Sequence, residues 1–386
     1  MKQIISFQME VPRKHLIQRL WMKTCLELKL RMPLNEIRCR GVRGILSSGL
    51  GIFLLALVAG TAQGQTLLSQ TTWGGTGSDV ARGVVVAPDG SSYVVGLSDS
   101  FTVDQFGNPR PAIALVKFTS NGSLDWQRIW TGLQSEAGRV ALGVGGAVYV
   151  CGTTLTNGGD AFLLKFDATG NLIWQRTWGT SEAEGSNAVA TAADGSVYIA
   201  GISRNNVLQT ADLVVVKFDS AGNLIWQKAS AGMAGFEALA VAPDGSVYAA
   251  GTRFRPGGVA EFDVVVLKLN SAGTRLWERI YSAGEVVDPR GGMVVAADGS
   301  VVLAGAIQAP KSGIVDIAAL LIKLDANGNL VFDRQWGGKS GDAGAGVALA
   351  PAPDGSIYIA GASDSFGVGE MRSSSMWQRM AKPRTP

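Results

Sequence analysis

The sequence predicts an all-β protein assembled from repeated four-stranded antiparallel blades, and three observations predict it. The first is a motif met six times: "VVVAPDGSSYVVG" from Val84, "ALGVGGAVYVCG" from Ala141, "ATAADGSVYIAG" from Ala190, "AVAPDGSVYAAG" from Ala240, "VVAADGSVVLAG" from Val294 and "LAPAPDGSIYIAG" from Leu349. Its turn glycines Gly90, Gly146, Gly195, Gly245, Gly299 and Gly355 are separated by 56, 49, 50, 54 and 56 residues, and a period near fifty that holds only β-type segments marks stacked blades. The second is an apolar, largely β-branched run with one lysine inside it, then a tight turn, then an aromatic residue, at Lys117, Lys165, Lys217, Lys268 and Lys323. The third is composition: 51 glycines and only 17% charged residues in 386 suit a turn-dense β protein.

Each unit reads as four strands. Strand one ends at a "PDG" or "ADG" turn, where Asp89, Asp194, Asp244, Asp298 or Asp354 precedes a glycine in the left-handed position that closes a type I turn with a bulge. Strand two ends at Gly96, Gly152, Gly201, Gly251, Gly305 or Gly361. Strand three carries the lysine and enters a second turn, such as "DATGN" at Asp167 or "DSAGN" at Asp219, with Asp at its first position and Gly at its fourth. Strand four alternates Leu172, Trp174 and Arg176 against Ile173 and Gln175. Trp126, Trp174, Trp226, Trp277 and Phe332 hold one position of that strand, and Trp130, Trp178, Tyr281 and Trp336 another four residues on. Large aromatics at a fixed strand position indicate packing between blades, and Ser230 interrupts the second series, against a symmetric sugar-binding ring.

Four antiparallel strands repeated radially make a β-propeller. Five units are complete, and the sixth shows two strands before "GVGEMRSSSMWQRMAKPRTP", so residues 366–386 are expected to be an irregular tail and 65–365 the propeller. "LLSQTTWGG" near Leu67 matches a fourth strand alone and would complete the last blade, closing a ring of about six blades and covering its edges. A shortened seven-bladed ring is the alternative.

With the repeated Asp-Gly-Ser-Val-Tyr and its trailing Ala-Gly, "DAFLLK" from Asp160, and Trp-Gly-Gly at Trp73 and Trp336, the chain resembles the bacterial seven-bladed β-propeller (SBBP) repeat over about residues 70–365. Asn-Gly-Ser-Leu-Asp from Asn121 is similar to the delta-60-type repeats. The resemblance implies a propeller fold and an exported or cell-surface protein, and no particular activity. "FDATGNLIW" from Phe166 also resembles the tryptophan-docking repeats of quinoprotein dehydrogenases and of propeller adaptors in outer-membrane assembly, although it has one residue fewer before the glycine. Quinoprotein enzymes commonly use an adjacent cysteine pair, and Cys151 stands alone here.

Residues 1–44 hold ten Lys/Arg and three Asp/Glu, net +7, whereas residues 65–386 hold 24 and 28, net −4. A basic nucleic-acid-binding surface is therefore not expected. Basic residues, an apolar run from Ile45 to Ala59 and small residues up to Gly64 read as a secretory signal within an N-terminal extension of residues 1–64. The run is about 15 residues, short of the ~20 of a spanning helix, so no membrane span is expected after cleavage. Met32 as the true start would give the signal an ordinary length. Cleavage removes His15, Cys25 and Cys39, which leaves Cys151 and no histidine: a Ser-His-Asp triad, a histidine metal site and an intrachain disulfide are excluded from the mature chain.

The chain reverses at each strand, so both tight turns of a unit lie on one face and the variable connections on the other. From the end of strand two to the lysine the spacing is 21, 13, 16, 17 and 18 residues, and binding sits on variable loops held by a rigid scaffold. Asp104, Arg204, Arg253 and Arg255 are the binding-face candidates, for a protein or carbohydrate ligand. The repeated lysines read as structural, each laying its apolar stem along the sheet while its ammonium reaches turn carboxylates or carbonyls. Catalytic and metal-binding residues are not identified, and calcium finds support only in the acidic turn at Asp325, which lacks the alternating carboxylates of a calcium loop. The expectation is a monomeric, non-catalytic binding or scaffold module, secreted, periplasmic or at the cell surface. An adaptor in envelope protein assembly, or a carboxylate-dependent hydrolase or lyase at the central channel, are the other readings.

Overall fold

The computed structural model describes residues 71–131, 135–154, 159–205, 210–255, 262–282, 286–288, 292–311, 314–336, 348–351, 357–363 and 374–380. They form a β-propeller. Blade 1 is β1 (Asp79–Val86), β2 (Ser92–Ser98), β3 (Ala112–Phe118) and β4 (Leu124–Trp130), and blade 2 is β5 (Ser135–Leu142), β6 (Val148–Thr154), β7 (Ala161–Phe166) and β8 (Leu172–Trp178). Blade 3 is β9 (Ala183–Thr191), β10 (Val197–Asn205), β11 (Thr210–Phe218) and β12 (Leu224–Ala231), and blade 4 is β13 (Met233–Val241), β14 (Val247–Phe254), β15 (Phe262–Leu269) and β16 (Arg275–Tyr281). In blade 5 the first strand is split into β17 (Val286–Asp288) and β18 (Met293–Val295), both paired with β19 (Val301–Lys311), followed by β20 (Ile314–Leu324) and β21 (Leu330–Trp336). A sixth sheet holds β22 (Ala348–Pro351), β23 (Ile357–Ser363) and β24 (Ser374–Met380).

β24 corrects one expectation. It lies inside residues 366–386, expected to be irregular, and pairs antiparallel with β23 from Ser363↔Ser374 to Ile357↔Met380. Pairing is a backbone property, and Ser374–Met380 contains no proline or glycine to interrupt a ladder. Its Trp377-Gln378-Arg379 repeats the strand-four triplet of Trp126-Gln127-Arg128 and Trp174-Gln175-Arg176, a signal that the lack of an apolar run conceals. The N-terminal extension, the closing strand near Leu67 and the turn at Gly355 lie outside the described residues.

Burial follows from the alternation of side chains along a strand. In β11, Val214, Val216 and Phe218 enter the core shared with blade 2, while Leu213 and Val215 enter the core shared with blade 4. Both faces of the strand are therefore dry, which is why it reads as an unbroken apolar run rather than a two-residue alternation. Cores of the same kind lie between blades 1 and 2, 4 and 5, and 5 and 6. Strand four stays largely open to solvent at the outer edge, with Leu172, Ile173, Leu224 and Ile225 exposed.

The first strands stand side by side, β1 against β5, β5 against β9, β9 against β13, then β13 against β18 and β18 against β22, and form the innermost row of the propeller. Each of the first four bulges at the same place, with two residues opposite one of strand two: Arg82-Gly83 opposite Val95, Gly138-Arg139 opposite Cys151, Asn187-Ala188 opposite Ala200 and Glu237-Ala238 opposite Ala250.

The first tight turn follows the expected chemistry at Asp89, Asp194, Asp244 and Asp298, each of which accepts the N–H of the serine two residues on. Blade 2 replaces this turn by a single 3₁₀ turn, Val144–Gly146, in which Gly145 and Gly146 have φ of 71° and 77°. In the second turn Asp167, Asp219 and Asp325 accept the N–H groups two and four residues on. Side-chain hydrogen bonds from Ser91, Thr169, Ser300 and Asn329, together with these backbone ones, hold the seven carboxyls below the ordinary carboxylate value, Asp167 at about 2. A carboxyl depressed by folding contributes stability above its unfolded value and loses it as pH falls towards its folded value. The midpoint of thermal unfolding should therefore fall as pH drops from about 4 to about 2. A midpoint indifferent to pH across that window would refute the turn-carboxylate account.

Candidate functional site

On the tight-turn face the repeated residues form rows across each blade. Tyr198, Lys217 and Trp226 are register partners on strands two, three and four, as are Tyr248, Lys268 and Trp277, and Tyr149, Lys165 and Trp174. Lys217 Nζ lies 5.3 Å from the Tyr198 ring centre, Lys268 Nζ 4.9 Å from that of Tyr248 and Lys165 Nζ 5.5 Å from that of Tyr149. The row reaches into the next blade. Lys217 Nζ and Trp226 Nε1 both donate to Ser271 O, each at 3.1 Å. Lys165 and Trp174 share Ser220 O in the same way, and Lys268 and Trp277 share Ala326 O. Lys217 is 8% exposed, and its ammonium also stands 3.9 Å from Asp194.

The arginine two residues after the tryptophan completes this clasp. Arg176 stacks on Trp174 and donates from Nε to Gly222 O and from Nη2 to Ala221 O, while Arg128 stacks on Trp126 and donates to Gly170 O and Thr169 O. Gly170 and Gly222 have φ near +82°, and a Cβ on either would sit 3.0–3.2 Å from the tryptophan and arginine beneath.

Blade 1 departs from the pattern for a reason written in its sequence. Asp125 stands where Ile173 and Ile225 stand in blades 2 and 3, and Lys117 pairs with it at 2.9 Å, which raises the lysine's pKa. Trp126 Nε1 is buried without an acceptor. Lys323 keeps its register place between Val302 and Phe332. At the far end of strand four, Trp178 Nε1 donates to Gln227 of blade 3 and Trp73 Nε1 makes the equivalent bond to Gln127 of blade 1.

On the variable-loop face the four binding candidates fall into different situations. Arg253 and Arg255 both turn onto the buried Asp263, at 3.3 Å and 2.9 Å. Burial would raise the Asp263 carboxyl, but Ser282 and the two guanidiniums hold it low. These arginines are brought together as an internal ion pair. Arg204 is exposed, in register with Ala183 and Ala211. Asp104 organises its own loop by accepting Phe106 N, Asn108 N and Asn108 Nδ2. That loop continues as a small hairpin with a Val103↔Pro109 bridge and an Arg110 N to Thr102 O bond. It carries three exposed apolar side chains, Phe101, Val103 and Phe106, of which Phe106 is 79% exposed. Phe101 rests against Trp73, with ring centres 5.3 Å apart.

Two acidic residues on this face were missed by sequence reasoning. Asp79 accepts Ser98 Oγ, Ser100 Oγ and Gly75 N, and these bonds outweigh burial to keep it ionised. Glu184, one of the most buried acids, accepts Thr180 N, Thr180 Oγ1 and Ser203 Oγ. Both lie six residues after a tryptophan, Trp73 and Trp178, and that spacing was the available signal. Burial, with a contribution from Glu184, raises Asp160. Among the described residues no three His, Cys, Asp or Glu side chains gather as a metal-binding group. Cys151 is 0% exposed and burial pushes its thiol up to about 11, so it is neither an accessible nor an ionised nucleophile. No described helix is long and apolar enough to cross a membrane.

The chain matches no protein-family model and no curated protein. Among solved structures, a protein of unknown function from Dyadobacter fermentans superposes with a TM-score of 0.51 at 11% identity, over 80% of this chain and 97% of that one. A glucose dehydrogenase gives 0.44 at 13% identity, over 79% and 98%. A protein of unknown function from Bacteroides caccae gives 0.35 at 14% identity over 52% of this chain, which spans 61% of that one. At such identities the likeness concerns the fold, and of these three the first is close enough to support it.

Proposed function

We propose that this chain is an exported, non-catalytic propeller that binds a protein partner through the variable-loop face of blade 1. The observation that carries the reading is the loop from Phe101 to Pro109. Its backbone is set by its own hydrogen bonds, and it holds Phe101, Val103 and Phe106 in solvent. A pre-ordered loop loses little entropy on binding, and an exposed phenylalanine that enters a partner's pocket supplies the kind of anchor on which interfaces depend. The repeated lysines and tryptophans are engaged between blades, and Arg253 and Arg255 are engaged with Asp263. These residues therefore compete poorly as ligand contacts. Export rests on the basic-then-apolar segment before Gly64.

A photocrosslinking amino acid placed at Gln105 in the full chain, expressed in a bacterial host with an envelope, should give discrete protein adducts. The same group at Ala221, exposed on the opposite face, should give none, and Phe106→Ser should abolish the adducts from position 105. Equal adducts from both positions, or none from 105, would overturn the binding half of the reading. Recovery of the intact chain from the cytoplasm alone would overturn the export half.

A further inference from the structure

The axis of the propeller presents an unassigned pair of arginines. In β9, which has blades on both sides, Asn187 of the bulge is the one exposed residue. The bulge therefore turns a side chain out of the sheet on the axial side, along which the first strands stand side by side. The corresponding bulges of blades 1 and 2 carry Arg82 and Arg139. Arg139 Nη1 donates to Arg82 O at 2.6 Å, so the guanidinium of one blade rests against the bulge of its neighbour. Its other donors have no hydrogen-bond acceptor among the described residues. Arg82 is exposed, and its side chain has no hydrogen bond or ion pair to any described residue.

Other described arginines give the contrast. Arg128, Arg176 and Arg279 are bound to turn carbonyls, Arg253 and Arg255 to Asp263, and Arg275 to Glu278. Arg110 and Arg204 sit separately on the loop face. Two cations on adjacent innermost strands, with no carboxylate partner among the described residues, create a positive potential that concentrates anions. The planar donor forks of arginine match the paired oxygens of a carboxylate or phosphate.

We propose that Arg82 and Arg139 form an axial site for a small oxyanion, a carboxylate or phosphate group, separate from the protein-binding loop of blade 1. Isothermal titration of the full chain at low ionic strength, with inorganic phosphate and with succinate as separate probes, tests it. At least one should bind saturably, and the stronger of the two identifies the ligand class. Arg82→Gln should weaken that binding about tenfold or more, and Arg82→Gln with Arg139→Gln should abolish it. Arg110→Gln should leave it unchanged. Because Arg82 is exposed and its side chain makes no hydrogen bond or ion pair to any described residue, its single variant should keep the fold, and its affinity is decisive even where the double variant fails to fold. No saturable binding of either anion, or binding that survives Arg82→Gln undiminished, would overturn the proposal.

Discussion

Gly201→Ala should be among the most damaging single substitutions in the propeller. A Cβ at Gly201 would stand 1.7 Å from Gly185 O and 2.8 Å from the Ser186 Cα. Those atoms belong to β9, immediately before its bulge, and the same approach is made at Gly96, where a Cβ would stand 2.1 Å from Val80 O. The obstacle is backbone in the innermost strand, which cannot rotate aside as a side chain can. Strand one must then separate from strand two, or the bulge must be redrawn. Overpacking by one carbon typically costs 1–3 kcal/mol, and against backbone the upper end, about 3 kcal/mol, is expected. Gly107→Ala is the control. Gly107 also lies in a β protein's turn, at φ +84°, but a Cβ there meets nothing within 4 Å, so the loss is limited to the left-handed conformation, about 1 kcal/mol. Chemical denaturation of the two variants separates the effects, and equal losses would refute the close-approach argument.

The glycines that end strand two were legible because they hold one position in every unit. Their reason was not. A repeat identifies which residues are equivalent and is silent about what lies across the ladder, and the bulges next to the partners of these glycines share no sequence. Arg82-Gly83 in blade 1 becomes Gly138-Arg139 in blade 2, with the order reversed, and Asn187-Ala188 in blade 3.

The lysine rows divide in the same way. That each lysine lies near a rim was readable from its two-residue distance to the turn. That its acceptor belongs to the following blade, as Ser271 O does for Lys217, depends on how one sheet stacks on the next. On the loop face, residue type misled in a physical sense. Arg253 and Arg255 read as solvated cations until folding buries Asp263 between strand and loop and draws both onto it. An aspartate preceding "VVVLK" gives no sign of burial in the sequence.

Lys217→Met should lower stability and leave partner binding at the blade 1 loop unchanged. The substitution keeps the unbranched stem and its packing beside Tyr198 and Trp226 while removing the ammonium. What disappears is the hydrogen bond to Ser271 O and the attraction to the Tyr198 face and to Asp194. A hydrogen bond from a charged donor contributes about 1.5–3 kcal/mol. Removing a largely buried charge returns part of this through its desolvation cost, and Ser271 O keeps its second donor, Trp226 Nε1, so no buried carbonyl is orphaned. The net loss should be about 2 kcal/mol by chemical denaturation. Crosslinking from Gln105 should match the unsubstituted chain at temperatures where both are folded. The contrary pattern, unchanged stability with lost crosslinking, would show the lysine to be a binding residue and would move the functional surface to the tight-turn face. The two outcomes separate because the lysine is a part of every complete blade, whereas the Phe101–Pro109 loop belongs to blade 1 alone.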